Sequence, residues 1–341
     1  MRPIHIAGFG QLPHVVRDTT HDEAELVQAS TAMALEDAGM SRDDIGFTCS
    51  GSNDYVQGRP FSFVLALDGI GPWPPIRESH VEMDGAWALY EAWIRLQHGD
   101  VDTALVYAYG KSSIGNMEQI HALQNDPYYV YPLGIGPTAM AAMQARALIE
   151  SGRATEEDMA RVVSRNLASA QNNPNALPVE QADVETLLSR PYVTDPLRAH
   201  DRSNHADGAA AIVLTVGGSG PRISGIEHRI DAHSIGCRDL TQSNSTAIAA
   251  SALGFEGADV AELHTPYSHQ EILVAEALGL NADCAINPSG GCFGADAPMV
   301  AGLVRIAEAA RAIREGATRA VAHATQGPCL QQNLVAVLEA S

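Results

Sequence analysis

The sequence is poor in cysteine and lacks long apolar runs. Its 341 residues include 5 cysteines, which are scattered along the chain and form no Cys-x-x-Cys pair. An odd, scattered set argues against a disulfide framework or a zinc site and favours a reducing compartment. No apolar run reaches about 18 residues, the length that a membrane-spanning helix needs, so we expect no membrane span.

Basic residues are also scarce. The chain has 21 lysines and arginines against 41 aspartates and glutamates, a formal net charge of −20. Such a surface repels phosphate backbones and anionic lipid headgroups, which argues against nucleic-acid and membrane-surface binding. It is compatible with a soluble enzyme and with docking to a basic partner. Because residues 1–10 predict a strand and a glycine turn rather than a secretory signal, we expect a cytoplasmic protein.

Strands alternate with helices along most of the chain, as in an α/β fold. Residues 21–40 have acidic residues in their first turn and a glycine at their end, the polarity of a capped helix. Thr155 and Asp158 predict a capping box at the start of another helix. Residues 103–110 form an apolar run typical of a buried, parallel strand.

A weak internal duplication divides the chain into two similar halves. Residues 92–110 and 311–327 both run from a helix through Ile-Arg and a glycine into an apolar strand. Each of these helices follows a polar loop that contains glycine. We therefore predict halves at residues 1–216 and 217–341, with a site between them where helix N-termini meet.

Several motifs occur in an order that resembles the thiolase superfamily, specifically the sterol-carrier-protein-type thiolases and the lipid-transfer thiolase-like proteins. They are NNPNA (172–176), PYVTDPLRAHDRSNHADGAAAIVL (191–214), AELHTPYSHQEILVAEALGL (261–280), INPSGG (286–291) and QGPCLQQNLVAVLE (326–339). The resemblance covers most of the chain. It implies the thiolase fold, with duplicated βαβαβ halves in a layered α/β/α/β/α arrangement and a reduced loop domain at about 112–200.

The resemblance also identifies the chemical groups that this chain lacks. A thiolase has a cysteine nucleophile at a helix N-terminus, a histidine in a Gly-His-Pro loop and a second cysteine near the C-terminus. The nucleophile position falls on Glu82, or on Met83 one residue along, and Ala297 stands at the histidine position. Cys329 lies in the loop of the second cysteine, about two residues from the expected site. Claisen condensation through an acyl-cysteine is therefore not expected.

The same resemblance points to two other side chains that suit a different reaction. His264 matches the first residue of the family's His-Asp-x-Phe turn, and Tyr267 replaces its phenylalanine. Thiolase-like proteins without the nucleophile include retro-aldolases, which cleave a β-hydroxyacyl-CoA, typically a shortened steroid side chain, and work with a zinc-ribbon/OB-fold partner. Tyr267 is then a candidate acid or base, and His264 would orient it or polarise the thioester. A second tyrosine, expected in loop 291–300, is missing, and Asp296 is the titratable side chain there.

The glycine-rich loop is identified with the family's oxyanion and substrate loop, with Gly290, Gly291 and Gly294 as candidate binding residues. Coenzyme A is expected as part of the substrate, and no other cofactor is implied. Histidine pairs in this chain are five residues apart, unlike helical zinc ligands one turn apart, so we expect no metal.

Each candidate also has a purely structural interpretation. Tyr267 would be a core or rim residue, and His264 would satisfy buried backbone groups. The Glu82 carboxylate would only gain from a helix N-terminus, as would that of Asp84. Cys329 would be a small packed side chain.

Two functions of different classes remain open. The first is a carbon–carbon lyase that acts on an acyl-CoA, for example one of sterol origin. The second is a catalytically silent subunit, which would stabilise an active thiolase-like paralogue or a zinc-ribbon/OB-fold protein in a heteromer. Either a homodimer or a heterodimer with a paralogue is compatible with the sequence.

Overall fold

The computed structural model describes residues 1–71 and 76–341 and alternates strands with helices, as the sequence predicts. The strands are β1 (Ile4–Gln11), β2 (Thr48–Gly51), β3 (Glu78–Val81), β4 (Thr103–Gly110), β5 (Tyr192–Thr194), β6 (Leu197–Arg198), β7 (Gly208–Val216), β8 (Arg222–Ile230), β9 (Val260–Leu263), β10 (Ala285–Ile286), β11 (Arg319–Gln326) and β12 (Gln332–Glu339). The helices are α1 (Glu23–Ala38), α2 (Asp54–Gln57), α3 (Ser62–Ile70), α4 (Gly85–His98), α5 (Met117–Leu123), α6 (Pro137–Glu150), α7 (Glu156–Ala170), α8 (Val184–Leu188), α9 (Asn244–Ala252), α10 (Ser268–Ala277), α11 (Gly291–Gly294) and α12 (Ala301–Arg314).

Ten strands form one mixed sheet with a repeated order. The order is β10-β9-β11-β12-β8-β1-β7-β4-β2-β3. Counted outward from the middle, β1-β7-β4-β2-β3 and β8-β12-β11-β9-β10 have the same connectivity, so each half repeats the other. The halves join through β1 and β8, where Ile4 pairs with Ile223 and His5 with Arg222. This arrangement confirms the predicted duplication.

Helices α4 and α12 lie between the two halves and create the layers. They share one core cluster with strands of both halves. Helices α1 and α3 cover the outer face of the first half, and α9 and α10 cover that of the second. In β7, Ile212 faces the inner cluster and Val213 the outer one, because successive side chains of a strand point to opposite faces. The α/β fold with layered halves is therefore confirmed.

Burial on both faces, rather than strand direction, accounts for the apolar run at residues 103–110. The prediction of a purely parallel strand was wrong in part. β4 runs parallel to β2 but antiparallel to β7. Helices cover both faces of β4, and burial on both faces requires apolar side chains.

The predicted helix ends are confirmed where the caps are local. Asp22 accepts a hydrogen bond from the Glu25 amide at the start of α1, and Gly39 follows its end with a φ of 63°. Thr155 and Asp158 form the predicted capping box of α7. The sequence patterns did not identify β3, β8 or α9.

The segment between β4 and β7 crosses over to the second half. Its helix α7 packs against α10 and α11, and α6 packs against α10. The insertion of the first half therefore covers the loops of the second half and closes a cavity between them. In residues 1–71 and 76–341, no helix has the combined length and apolar character of a membrane span.

Candidate active site

A cavity of about 740 Å³ lies where the two halves and the insertion meet. Its wall contains the start of α4, parts of the insertion from 112 to 141, the stretch 202–206 and three loops of the second half. Four of the side chains predicted from the sequence line it, namely His264, Tyr267, Asp296 and Cys329. The folded chain thus brings together residues that are far apart in sequence.

His264 and Asp296 face each other on this wall. His264 follows the end of β9, and its Nε2 lies 3.6 Å from Asp296 Oδ1. The backbone amide of Thr325 donates to His264 Nδ1 at 3.4 Å. Because Nδ1 accepts this hydrogen bond, a neutral His264 carries its proton on Nε2, directed at Asp296. One ring nitrogen of His264 thus accepts a backbone hydrogen bond, as the structural interpretation expects, while the other faces Asp296.

Asp296 is held as a carboxylate. Its Oδ2 accepts a hydrogen bond from Ser203 Oγ at 2.5 Å. Burial would raise the pKa of Asp296, but the hydrogen bond and charge of His264, together with His205 and Ser203, outweigh it and lower the pKa below its usual range. Asp296 is thus ionised at neutral pH and orients its neighbours rather than supplying a proton.

Tyr267 lies at the end of a hydrogen-bonded chain. Thr138 Oγ1 donates to Glu118 Oε2 at 2.7 Å, and the Tyr267 hydroxyl lies 3.3 Å from Thr138 Oγ1. Since the threonine proton goes to the carboxylate, Tyr267 is the donor to Thr138. Burial raises the pKa of Tyr267 to about 12. Tyr267 is therefore a proton donor at neutral pH and not a base.

Cys329 belongs to a loop with unusual backbone angles. Cys329 and Leu330 have φ angles of 54° and 57°, in the left-handed region that non-glycine residues rarely adopt. Arg238 holds this loop by donating to the carbonyl oxygens of Pro328 at 2.8 Å and Cys329 at 2.9 Å. Burial raises the pKa of the Cys329 thiol to about 12, so the thiol stays protonated.

The other candidate residues lie outside the cavity wall. Glu82 is exposed, and its carboxylate accepts from the Asp54 amide at 3.2 Å. Gly290 and Gly291 have positive φ angles of 95° and 55°. A Cβ on Gly290 would lie 2.5 Å from that of Ala170 in α7. The candidate binding glycines, Gly294 included, therefore serve the close packing of their loop on α7 and the neighbouring loops.

Two buried polar networks fix the loop that carries Asp296. In one, Asn287 accepts from the Leu263 amide at 2.6 Å and donates to Glu271 at 2.7 Å. In the other, Arg305 donates to both Glu262 and Ser289 at 2.7 Å. Buried networks of this kind hold one geometry, because breaking any of their hydrogen bonds leaves an unpaired polar group.

The Asp84 carboxylate accepts hydrogen bonds at the N-termini of both central helices, α4 and α12. Its carboxylate accepts from the amide of Ala86 in α4 at 2.8 Å and from those of Gly302 and Leu303 in α12 at 3.0 and 3.1 Å. Burial raises the pKa of Asp84, against the charge of His264 and these amides, which lower it. The amides that could hold a substrate anion at these helix ends are thus already engaged by the protein.

His205 also lines the cavity, although the sequence offered no signal for it. It pairs with Asp296 through an isolated backbone bridge. Its ring accepts and donates no hydrogen bond in the described residues, and desolvation by burial lowers its pKa, against the charge of Asp296. His205 is therefore neutral at pH 7 and free to accept a proton.

Three buried side chains could in principle hold a metal ion. One ligand atom each of His264, Cys292 and Asp296 lies within 4.8 Å of the others. Burial raises the pKa of the Cys292 thiol well above its ordinary value, with Asp296 adding to the effect. A metal would have to displace the proton of the Cys292 thiol to bind there, and the absence of a metal stays a prediction.

Comparison with known proteins gives relatives of one superfamily. No family model matches the chain. An acetyl-CoA acetyltransferase of Methanothermobacter thermautotrophicus is 26% identical, with 82% of each chain aligned. The benzoylsuccinyl-CoA thiolase subunit BbsB of Thauera aromatica is 25% identical over 97% of each chain. A 17-hydroxy-3-oxo-4-pregnene-20-carboxyl-CoA lyase of Mycobacterium tuberculosis is 26% identical over 65% of this chain and 60% of the relative.

Solved structures with a similar fold include an aldolase and a thiolase. The Ltp2-ChsH2(DUF35) aldolase superposes with a TM-score of 0.80 at 19% identity, covering 99% of this chain and 98% of the other. Human mitochondrial 3-ketoacyl-CoA thiolase in complex with CoA gives a TM-score of 0.79 at 14% identity, covering 100% and 98%. The chain therefore has the thiolase fold, with homologues among thiolase-superfamily proteins that process acyl-CoA.

Proposed function

We propose that this chain is a carbon–carbon lyase that cleaves a β-hydroxyacyl-CoA by a retro-aldol reaction. The observation that carries the proposal is the composition of the cavity wall. It presents a protonated tyrosine and a histidine–aspartate pair, while the position expected for a cysteine nucleophile falls on exposed Glu82. These groups suit proton transfer and oxyanion stabilisation but not acyl transfer.

The reaction needs a base, a donor to an oxyanion and a final proton. A base takes the proton of the β-hydroxyl, the bond between the α- and β-carbons breaks, and a ketone leaves. The electron pair of that bond forms the enolate of the thioester. Protonation of its α-carbon then releases the shorter acyl-CoA, so atoms and electrons balance without an oxidant or a reductant.

We assign the base to His205. Its ring is free of hydrogen bonds in the described residues and lines the cavity, where desolvation lowers its pKa and keeps it neutral. Asp296 lies beside it, and a carboxylate there stabilises the imidazolium that forms.

Tyr267 is assigned to the oxyanion. Tyr267 keeps its proton, and the thioester oxygen would replace Thr138 Oγ1 as the acceptor of that proton. His264, whose Nε2 lies 3.6 Å from Asp296 Oδ1, is assigned to orientation of the site. Donors of this kind contribute most when they are already oriented, as the Thr138–Glu118 chain orients Tyr267. The protonated thiol of Cys329 is the candidate for returning a proton to the α-carbon.

Two comparisons support the lyase, and two others support thiolases in general. The Mycobacterium tuberculosis relative is a CoA-ester lyase, and the solved Ltp2-ChsH2(DUF35) complex is an aldolase. That complex also supports a partner protein for this chain, for which the family resemblance implies a zinc ribbon and an OB-fold. A sterol-derived acyl group remains part of the proposal on the same grounds.

One observation favours the silent subunit as a second candidate. Tyr128, Tyr129 and Leu133 expose 81%, 80% and 69% of their surface in one short segment next to the cavity wall. Exposed apolar clusters mark protein-interaction sites. A chain that serves only to support a paralogue would use such a surface without using the cavity.

The test measures release of a ketone and a shorter acyl-CoA from a β-hydroxyacyl-CoA by mass spectrometry. It uses the chain alone, the chain with co-expressed partners, and the partners alone. We expect Tyr267→Phe to lower kcat by about 10²–10³-fold, the usual effect of removing one oxyanion donor. Tyr192→Phe, in an exposed tyrosine of β5 that does not line the cavity, is the matched control.

Each result has a clear meaning. Release that needs this chain and is lost in Tyr267→Phe supports the lyase. Release that needs a partner and is insensitive to Tyr267→Phe contradicts our role for Tyr267. If the partners alone release the products, and the wild-type and Tyr267→Phe chains increase that release equally, the chain is a silent subunit.

A further inference from the structure

One arginine of the cavity wall has no anionic partner. Among the described residues that line the cavity, Arg202 is the one arginine or lysine. It forms no ion pair within 4.0 Å in the described residues, and its side chain is exposed to the cavity solvent. In a chain with 21 basic and 41 acidic residues, an unpaired guanidinium beside several carboxylates needs an explanation.

The carboxylates of the cavity are already engaged. Asp84 accepts from the amides of α4 and α12, and Asp296 accepts from Ser203. Glu118 accepts from the amide and the hydroxyl of Thr138 at 3.1 and 2.7 Å. With these acids held elsewhere, no carboxylate of residues 1–71 and 76–341 forms an ion pair with Arg202.

Arg202 lies next to the groups assigned to the reaction. Its backbone pairs with that of Tyr267, and the amide of the following Ser203 donates to Pro266 at 2.7 Å. Its positive charge acts on both groups: it opposes the rise that burial causes in the pKa of Tyr267, and it adds to the lowering that desolvation causes in the pKa of His205. The guanidinium is thus close to the acyl end of a bound thioester, where Tyr267 would act.

We infer that Arg202 recognises an anionic oxygen group of the ligand, and specifically a carboxylate carried by the acyl group. The inference rests on the proposed acyl-CoA substrate and names its class, an acyl-CoA with a second, free carboxylate. A guanidinium binds a carboxylate through two parallel hydrogen bonds, which gives both affinity and orientation. A phosphate of coenzyme A offers the same chemistry and is the alternative source of the anion.

The test compares glutaryl-CoA with valeryl-CoA, which have acyl chains of equal length with and without the terminal carboxylate. Calorimetry measures Kd for both and for free CoA. We expect the wild type to bind glutaryl-CoA about tenfold or more tighter than valeryl-CoA, the usual effect of a charged hydrogen-bonded pair. Arg202→Gln should abolish this ratio, and Arg202→Lys should restore part of it.

The control is Arg161→Gln, in an exposed arginine of α7 that pairs with Glu157 and Asp158. It should leave all three Kd values unchanged. Equal weakening of glutaryl-CoA, valeryl-CoA and CoA by Arg202→Gln would assign the anion to a CoA phosphate and overturn the carboxylate. No change in any Kd would overturn the anion site altogether.

A second measurement separates this inference from the proposed function. Phenylglyoxal modifies accessible guanidinium groups, and mass spectrometry reports the rate at each arginine. Free glutarate should slow the labelling of Arg202 and not that of Arg161, even if no CoA thioester binds. If CoA thioesters do not bind but glutarate protects Arg202, the substrate proposal fails and the anion site stands. Equal labelling with and without glutarate overturns the site.

Discussion

At the scale of single residues, the environment of each side chain decides its protonation state. Burial keeps Tyr267 and Cys329 protonated, while His264 and Ser203 keep Asp296 ionised. The sequence placed Tyr267 as an acid or a base, and only the buried position selects the acid. Titratable groups at one site with opposite shifts are typical of proton-transfer chemistry.

Buried histidines make the stability of the fold depend on pH. Burial lowers the pKa of His269 and of His323 to about 3. In the unfolded chain both bind protons below about pH 6.5, so their contribution to stability is complete above that pH and is lost as the pH falls towards 3. The loss is about 1.4 kcal/mol per pH unit for each histidine.

Urea unfolding at pH 7 and pH 5 checks this expectation. The free energy of unfolding should fall between these values, and His269→Gln should lose about 1–2 kcal/mol less than the wild type over the same interval. His98→Gln, in an exposed histidine, should leave the pH dependence unchanged. Identical pH dependence in His269→Gln and wild type would contradict a neutral, buried His269.

At the scale of elements, the N-termini of α4 and α12 meet at one carboxylate. Asp84 caps α4 and also accepts two amides of α12, so one side chain ties the two halves together beside the cavity. A carboxylate is favourable at both ends because the helix dipoles and the free amides attract negative charge.

Replacement of Asp84 should therefore affect two helices. Asp84→Ala is expected to lower the free energy of unfolding by about 1–4 kcal/mol, since each of the two caps contributes about 0.5–2 kcal/mol. Asp22→Ala, which removes the cap of α1 alone, is the matched control and should cost about 1 kcal/mol. Equal losses in the two variants, measured by urea unfolding, would mean that the α12 contacts of Asp84 contribute nothing.

At the scale of the whole molecule, the two halves share their largest core. The inner cluster contains residues of both halves around α4 and α12, whereas β1 and β8 join by few residue pairs. The insertion of the first half also packs on α10 and α11 of the second. The boundary near residue 217 therefore separates two repeats. We predict that the two halves fold together and not as separate units.

A single cooperative transition follows from this shared core. Urea unfolding followed by tryptophan fluorescence, which reports α4 through Trp87 and Trp93, should coincide with that followed by far-ultraviolet circular dichroism. We also expect residues 217–341 expressed alone to stay unfolded, since α12 would lose the apolar surface of α4. Two separated transitions, or a folded fragment, would show that each half is stable by itself.

The sequence by itself determined the longer, strongly patterned elements and the type of fold. Apolar periodicity and local caps predict helices such as α1 and α7 because the interactions involved lie within a few residues. The ordered motifs predicted the thiolase-like halves and the four side chains that line the cavity. Short or weakly patterned elements, β3 and β8 among them, escaped prediction because their burial depends on neighbours from elsewhere in the chain.

Only the tertiary structure decided how the candidate site is assembled. It put Glu82 outside the cavity and packed Gly290 and Gly291 on α7, where the family resemblance implied a catalytic residue and a binding loop. It also brought His205 and Arg202 to the wall, through backbone pairing with loops of the second half. Desolvation and contacts between residues far apart in sequence set these positions and charges, and neither quantity is present in a local pattern.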